Sequence, residues 1–221
     1  MERTASARRR GGREPRPATP PPRAAPRVAG RLGAVLAAAP AVFAGAAALA
    51  QARYVTGPPP AHTGGFGEPT CYACHFDAEP NSGPGSLALR GLEAGYEPGT
   101  TRRITVELAS PGMRRGGFEL AARFATGAAA GQQAGTLRVL DERVAVTDSA
   151  GVQYAHHLDA GTTLAAPDTA RWVLEWTAPE EGGDVVVFHI AANAANDDAS
   201  PFGDLIFTDS VRVPAAAAKG R

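Results

Sequence analysis

The sequence predicts an all-β fold, an antiparallel β-sandwich of about eight or nine strands. Three observations predict it. Short segments alternate apolar and polar residues with a period of two, which is typical of strands that bury one face and leave the other to solvent. Glycine or proline stands at nearly every junction between these segments. After residue 52, no segment of three helical turns carries a coherent apolar stripe.

The strands follow in chain order from their side-chain patterns. Apolar side chains stand at every second position from residue 104 to 108 and from 118 to 124. Trp172 and Trp176 then share one face of A-R-W-V-L-E-W-T. Residues 184–192, D-V-V-V-F-H-I-A-A, are apolar on both faces and predict an interior strand. Shorter predicted strands span residues 87–92, 136–140, 143–148, 152–157 and 205–213.

Composition divides the chain into five predicted parts. Residues 1–31 hold nine arginines, many prolines and almost no large apolar side chain, which predicts a disordered basic leader. Residues 32–52 carry no charge and end near an A-L-A site, which predicts the apolar region of a secretory signal or a retained membrane anchor. Residues 53–85, rich in glycine and proline, predict an irregular arm. Residues 86–214 form the predicted sandwich, and residues 215–221 a disordered tail.

The charge of the predicted exported part differs from that of the whole chain. The full chain is neutral, but 13 basic and 20 acidic residues follow residue 50, which gives that part a net charge of −7. This acidic balance argues against a nucleic-acid-binding surface. We expect a domain outside the cytoplasm, in the periplasm, on the cell surface, or on a membrane anchor that faces outward.

The only two cysteines, Cys71 and Cys74, lie in C-Y-A-C-H, directly before His75. A dithiol pair of this spacing is typical of redox enzymes, which place it at a helix start in an α/β pattern. Structural zinc needs four ligands and usually a second cysteine pair, which this chain lacks. Covalent haem c needs two thiols for the two vinyl groups and an adjacent histidine for the iron. The motif therefore favours haem, with the dithiol and the zinc site as alternatives.

If the two cysteines hold haem, His75 is the predicted proximal ligand of the iron. His156 or His157, in Y-A-H-H, is the first candidate for the distal position, because alternation puts the two on opposite faces of a strand. Met113 is the next candidate, followed by His62 or by no protein ligand. The distal ligand matters because six-coordinate iron favours electron transfer, whereas an open position allows gas binding or peroxide chemistry.

An oxygen-rich segment near residue 200 is a candidate cation loop. It reads A-A-N-A-A-N-D-D-A-S-P-F-G-D, and calcium prefers such oxygen ligands. A polar loop of turn residues explains the same composition and is the preferred interpretation, so calcium is a candidate but not the expected cofactor. The candidate ligands are Asn193, Asn196, Asp197, Asp198 and Asp204.

Several motifs, in this order, resemble one family. H-T-G-G-F-G-E-P-T-C-Y-A-C-H-F is followed by Y-E-P-G-T-T-R-R-I-T-V-E-L, by Y-A-H-H and by V-V-F-H-I-A-A-N-A-A-N-D-D. These segments, between residues 57 and 213, resemble bacterial Reeler-like domains, also called choice-of-anchor V domains. The resemblance implies an Ig-like, Reeler-like β-sandwich outside the cytoplasm, preceded by a loop that carries the C-x-x-C-H motif. It implies no enzymatic activity.

The expected function is that of an exported c-type haem protein, which carries single electrons on a sandwich scaffold and meets a redox partner protein. The alternative is an extracytoplasmic, non-enzymatic interaction or adhesion module that binds a protein or a glycan. A haem-based sensor or peroxidase is the third hypothesis. No catalytic residues are predicted, because the sequence contains no nucleophile-elbow triad, no phosphate loop and no H-E-x-x-H motif.

Overall fold

The computed structural model describes residues 57–181 and 183–216. The predicted leader 1–31, the predicted signal or anchor segment 32–52, the start of the arm and the end of the tail lie outside the described residues. Within the described part of the chain, no helix has the length and apolar character needed to cross a bilayer.

The described residues form nine strands and three short 3₁₀ helices, which confirms the predicted all-β fold. The strands are β1 Ser86–Arg90, β2 Thr101–Ala109, β3 Arg115–Phe124, β4 Thr136–Val139, β5 Val144–Ser149, β6 Val152–His157, β7 Thr169–Thr177, β8 Val186–Ala195 and β9 Leu205–Val213. The 3₁₀ helices are Gly65–Gly67, Cys71–Ala73 and Asp159–Thr162.

The strands pair into two antiparallel sheets. The four-stranded sheet has the order β1-β2-β7-β4, and the five-stranded sheet has the order β5-β6-β3-β8-β9. β8 pairs with β3 on one side and with β9 on the other, so it is the interior strand that its apolar run predicts. The two sheets face each other across one core, as in a β-sandwich.

Aromatic side chains fill the centre of this core. The rings of Phe118 and Trp172 lie 4.5 Å apart, and Trp176 meets Phe188 edge to face at 5.0 Å. Both indole N–H groups are satisfied, because Trp172 donates to the carbonyl of Gly161 at 2.8 Å and Trp176 donates to a carbonyl at 2.9 Å. Buried tryptophans therefore stabilise the sandwich without leaving a polar atom unpaired.

The outer face of the five-stranded sheet, the face turned away from the four-stranded sheet, is covered at its central strand β3. Alternation predicts that β3 buries only one face, and this is wrong: Glu119 is 0% exposed and Arg123 is 4% exposed. The physical reason is the arm, which packs on this face. Ala61 contacts the small apolar cluster on β3 and β6, and Gly65 lies against the His189 ring on β8.

Candidate functional site

The arm is held on the outer face by the carboxylate of Glu68. Its Oε1 accepts hydrogen bonds from the Arg123 guanidinium and from the Tyr154 hydroxyl, the latter at 2.6 Å. Its Oε2 accepts a hydrogen bond from the Thr63 hydroxyl at 2.6 Å. Burial raises the pKa of Glu68, but the hydrogen bonds from Thr63, Tyr154 and Arg123 outweigh it and hold the pKa below its usual value. One charged group thus joins the arm to two strands.

A second carboxyl group, that of Glu119, lies fully buried under the arm. Its Oε2 accepts a hydrogen bond from the backbone N–H of His62 at 2.5 Å. Its Oε1 has no hydrogen-bond partner among the described residues. Burial raises the pKa of Glu119 to about 8, and the negative charge of Glu68 adds to the rise, against the opposing effects of the His62 bond and of Arg123. Glu119 is therefore mostly protonated at neutral pH.

The C-Y-A-C-H motif begins as a single 3₁₀ turn on this arm. Thr70 caps the Cys71–Ala73 helix, because its hydroxyl accepts a hydrogen bond from the backbone N–H of Tyr72 at 3.2 Å. The N–H of His75 donates to the carbonyl of Cys71 at 3.0 Å, which continues the turn to the histidine. These local bonds fix the backbone that carries the two thiols and the imidazole.

The two thiols are free and differ in their surroundings. Cys74 is exposed, whereas Cys71 is partly buried beside the sheet. Burial, with a smaller effect from the charge of Glu119, raises the pKa of the Cys71 thiol to about 12. Redox dithiols depend on a cysteine whose pKa is lowered, so this environment does not favour the dithiol interpretation.

His75 is oriented by a buried carboxylate from the loop between β8 and β9. The Nδ1 atom of His75 lies 2.7 Å from Oδ2 of Asp204, whose side chain is 2% exposed. Asp204 also accepts hydrogen bonds from the Asn193 amide and from the backbone N–H of Asn196, each at 3.1 Å. A carboxylate at this distance favours the tautomer with the proton on Nδ1, and Nε2 of the ring lies 3.4 Å from the Asn193 amide nitrogen.

A cavity of about 620 Å³ lies between this motif and the end of the five-stranded sheet. Its volume falls in the range of roughly 300–1,000 Å³ that is typical of small-molecule and cofactor sites. From the arm it is lined by both cysteines, His62 and His75, and from the sheet by Gly117 and His157. The loop between β8 and β9, including Asp204, closes another side. The structure thus brings the motif and one of the Y-A-H-H histidines to the same cavity.

His157 ends β6, and its ring packs against β3. Its Nδ1 lies 3.0 Å from the backbone N and 3.2 Å from the backbone O of Phe118. A Cβ atom added at Gly117 would lie 2.7 Å from Cε1 of the ring, so glycine leaves the space that the imidazole occupies. Burial lowers the pKa of His157 to about 4; the Phe118 bond opposes this, and the charges of His156 and His75 add to it. The ring is neutral at physiological pH, the form that binds metals.

The other predicted distal candidates lie in different places. His156 is 8% exposed, and its Nε2 is 3.0 Å from the Thr147 hydroxyl on β5, away from the cavity lining. Met113 is 6% exposed and belongs to the apolar core rather than to the cavity. His62 lines the cavity, with its Nδ1 3.3 Å from the carbonyl of Pro60 in its own loop.

The candidate cation loop uses several of its oxygens within the protein. Asp197 accepts a hydrogen bond from Arg115 at 2.5 Å, and Asp198 accepts one from the Asn196 amide at 3.1 Å. The Asp204 carboxylate contacts His75 and accepts hydrogen bonds from Asn193 and Asn196. Across residues 57–181 and 183–216, no group of three or more His, Cys, Asp or Glu side chains is placed to hold a metal ion directly. A haem iron takes four ligands from the porphyrin, so a haem site needs no such group.

The sequence does not mark four residues at the arm as part of a site, because their types and positions have common surface explanations. They are Glu68, Glu119, Arg123 and Tyr154. Two charges on the polar side of an alternating strand predict a solvent-facing edge, and a glutamate between glycine and proline predicts a loop. The available signal was the arm itself: long segments without regular structure in compact domains are often functional. Such an arm needs partners on the folded domain if it is to be ordered.

Comparisons with known proteins give structural likenesses alone. No family model matches the sequence, and no curated protein matches it. The structure is similar to the Reelin-N domain of F-spondin, at 20% identity over 66% of this chain and 97% of that chain, with a TM-score of 0.44. It is also similar to the human F-spondin reeler domain, at 21% identity over 62% and 95%, with a TM-score of 0.42. A cohesin module from Clostridium perfringens gives 11% identity over 61% and 98%, with a TM-score of 0.43. Likeness at this level assigns no function.

Proposed function

We propose that this chain is an exported c-type haem protein that carries single electrons, with the haem attached through Cys71 and Cys74 and with His75 as the proximal ligand of the iron. The observation that carries the proposal is the cavity of about 620 Å³, which both cysteines and His75 line. A cavity of cofactor size directly beside a C-x-x-C-H motif is what covalent haem requires.

The state of the two thiols fits the chemistry of attachment. In covalent attachment each cysteine would add its Sγ–H across one vinyl double bond: an Sγ–C bond would form, the S–H bond would break, and the hydrogen would pass to the neighbouring vinyl carbon. The addition needs reduced thiols and no external oxidant, and Cys71 and Cys74 are both free thiols. Once bound, the haem supplies one-electron chemistry.

The contact between His75 and Asp204 fits the role of a proximal ligand. Histidines that bind metals commonly donate their other ring N–H to a carboxylate or a carbonyl, which fixes the ring and raises its basicity. Asp204 is buried and lies 2.7 Å from Nδ1 of His75. The Asp204 carboxylate thus holds Nδ1 of the imidazole, and an iron at Nε2 would take the place of the Asn193 amide contact there at 3.4 Å.

The location that we propose follows from the apolar segment at residues 32–52 and the acidic balance of the residues after it. C-type haem is installed outside the bacterial cytoplasm, so a secretory signal and a C-x-x-C-H motif are consistent with each other. The carrier would meet its redox partner protein there.

Haem attachment can be tested on the full chain. The protein is expressed together with c-type cytochrome maturation factors, and a denaturing gel is stained for haem. We expect a stained band for the wild type and none for the Cys71→Ala/Cys74→Ala double variant, with both bands equally visible for protein. An unstained wild-type band would contradict the proposal.

A second candidate is an extracytoplasmic interaction module that binds a protein or a glycan. One observation favours it: Phe76 and Phe202, each 53% exposed, meet edge to face at 5.6 Å on the surface. Exposed aromatic side chains are enriched in protein interfaces. The likeness to reeler domains fits an interaction module better than a haem protein, but TM-scores of 0.44 and 0.42 do not decide between the two functions. An unstained wild-type protein would favour it.

A further inference from the structure

We propose that His157 is the second axial ligand of the haem iron, so that the iron is held between two histidines and is closed to exogenous ligands. This inference rests on the proposed function. Its basis is placement: His75 reaches the cavity from the arm, and His157 reaches it from the sheet. An iron with both axial positions filled favours electron transfer over gas binding or peroxide chemistry.

The first support is the orientation of the His157 ring. Both hydrogen-bond contacts of this ring in the described part of the chain are made by Nδ1, with the backbone N and O of Phe118 at 3.0 and 3.2 Å. The Phe118 N–H donates to Nδ1, so the ring is held through Nδ1, and Nε2, on the other side of the ring, makes no hydrogen bond within the described residues. A hydrogen bond at the ring nitrogen away from the metal fixes the orientation of a metal-binding histidine.

The second support is the glycine pair beside the ring. Gly116 and Gly117 both line the cavity, and a Cβ atom at Gly117 would come within 2.7 Å of Cε1 of His157. Contacts below 3.0 Å require a shift, so any larger residue at 117 would move the imidazole. The sheet therefore has the space that this ring needs at the edge of the cavity.

The third support is the placement of the other candidates. His156 is engaged with Thr147 on β5 and does not line the cavity, and Met113 lies in the core. His62 does line the cavity, but the hydrogen bond of its ring within the described residues is made to its own loop, at the carbonyl of Pro60 3.3 Å away. His157 is instead held by the backbone of a neighbouring strand, which gives the fixed geometry that an axial ligand needs.

The test compares four haem-loaded proteins: the wild type, His157→Ala, His156→Ala and His62→Ala. Each is first shown to carry covalent haem on a denaturing gel, and absorption spectra are then recorded with and without carbon monoxide. We expect low-spin spectra that carbon monoxide leaves unchanged for the wild type and for His156→Ala. His157→Ala should give a high-spin ferric spectrum and bind carbon monoxide when reduced, and added imidazole should restore the low-spin spectrum.

The outcomes separate the two proposals. A wild-type protein without covalent haem overturns the proposed function and this inference with it. A stained His157→Ala protein that stays low-spin, a wild type that binds carbon monoxide, or loss of the low-spin spectrum in His62→Ala alone overturns the inference only. If His157→Ala does not fold, Gly117→Ala replaces it: this variant keeps the imidazole but displaces it, and a low-spin spectrum that carbon monoxide does not change would overturn the inference.

Discussion

The two faces of β3 are both buried, yet they are built from opposite kinds of residue. On the inner face, Phe118 and Leu120 pack in the apolar core between the sheets. On the outer face, Glu119 and Arg123 lie under the arm and meet carboxylate, amide and hydroxyl groups. Apolar burial therefore holds the sheets together, whereas charged hydrogen bonds hold the arm that carries the site. The difference implies that the fold and the site can be weakened separately.

The largest effect is expected on the inner face. Phe118→Ala removes a ring that is 0% exposed and lies 4.5 Å from the ring of Trp172. We expect the free energy of unfolding to fall by about 3–5 kcal/mol, since the cavity cannot be filled by its neighbours. Denaturant unfolding followed by tryptophan fluorescence measures it. The control, Phe202→Ala at a surface ring, should cost about 1 kcal/mol or less; equal losses in the two variants would contradict the account.

The next effect concerns the outer face, where Arg123→Met keeps the apolar stem of the side chain and removes its charge. Glu68 would lose a charged partner but keep the hydroxyls of Tyr154 and Thr63, so we expect arm docking to weaken by about 2–3 kcal/mol.

The measurement is the rate of thiol modification in protein made without haem. Cys71 should react about 30–150-fold faster in the Arg123→Met variant, because each 1.4 kcal/mol corresponds to a factor of ten. Cys74 is exposed already and serves as the internal reference. An unchanged rate at Cys71 would show that Arg123 does not hold the arm.

A third and smaller effect is a dependence of stability on pH, which comes from Glu119. The pKa of the Glu119 carboxyl is about 8 in the folded protein, whereas its ordinary value is 4.5. Between these two pH values the folded state holds a proton that the unfolded state has released. Stability therefore falls as pH rises, by about 1.4 kcal/mol per pH unit. The folded pKa of His157 is about 4 and its usual value is 6.5, which acts in the opposite direction below pH 6.5. The window from pH 6.5 to 8 isolates Glu119.

Denaturant midpoints of haem-free protein across this window test the prediction. The wild type should lose roughly 2 kcal/mol between pH 6.5 and 8. Glu119→Gln keeps an acceptor for the His62 N–H and removes the ionisation, so its stability should change much less. A wild type whose midpoint stays constant over this range would mean that Glu119 is not buried as described.

The smallest effect on the fold, with a direct effect on the proposed haem, is expected from Asp204→Asn. The neutral amide removes the negative charge beside Nδ1 of His75, which favours the reduced iron, so the reduction potential should rise while covalent haem is retained. Potentiometric titration measures it. Asp197→Asn, on the same loop but paired with Arg115, is the matched control, and an equal shift in both variants would count against a specific role for Asp204.

The sequence predicted the inner half of the molecule better than the outer half, for a physical reason. Period-two alternation and the apolar run in β8 are local patterns, and they predict strands and an interior position directly. The contact of Glu68 with Arg123 joins residues that are 55 positions apart, and that of His75 with Asp204 joins the arm to the last loop. Local patterns carry no information on such pairs, so alternation predicts a solvent-facing Arg123, and Asp204 is only a candidate ligand in a segment whose preferred interpretation is a polar loop.

The site was predictable to the same extent. C-Y-A-C-H is a local motif, and the haem hypothesis can be stated from its five residues. The choice between His156 and His157 was not local, because both lie in one strand and alternation leaves either face open. It depends on Gly117 and Phe118 of the neighbouring strand, which fix the ring of His157 beside the cavity.

Covalent haem in the cavity beside Cys71, Cys74 and His75 would add a fixed mass to the protein. The most direct measurement is the intact mass of the full chain after expression with c-type maturation factors, compared with the Cys71→Ala/Cys74→Ala variant from the same host. We expect the wild type to gain the mass of one haem and the variant to gain none. A wild-type mass equal to that of the bare polypeptide would contradict it.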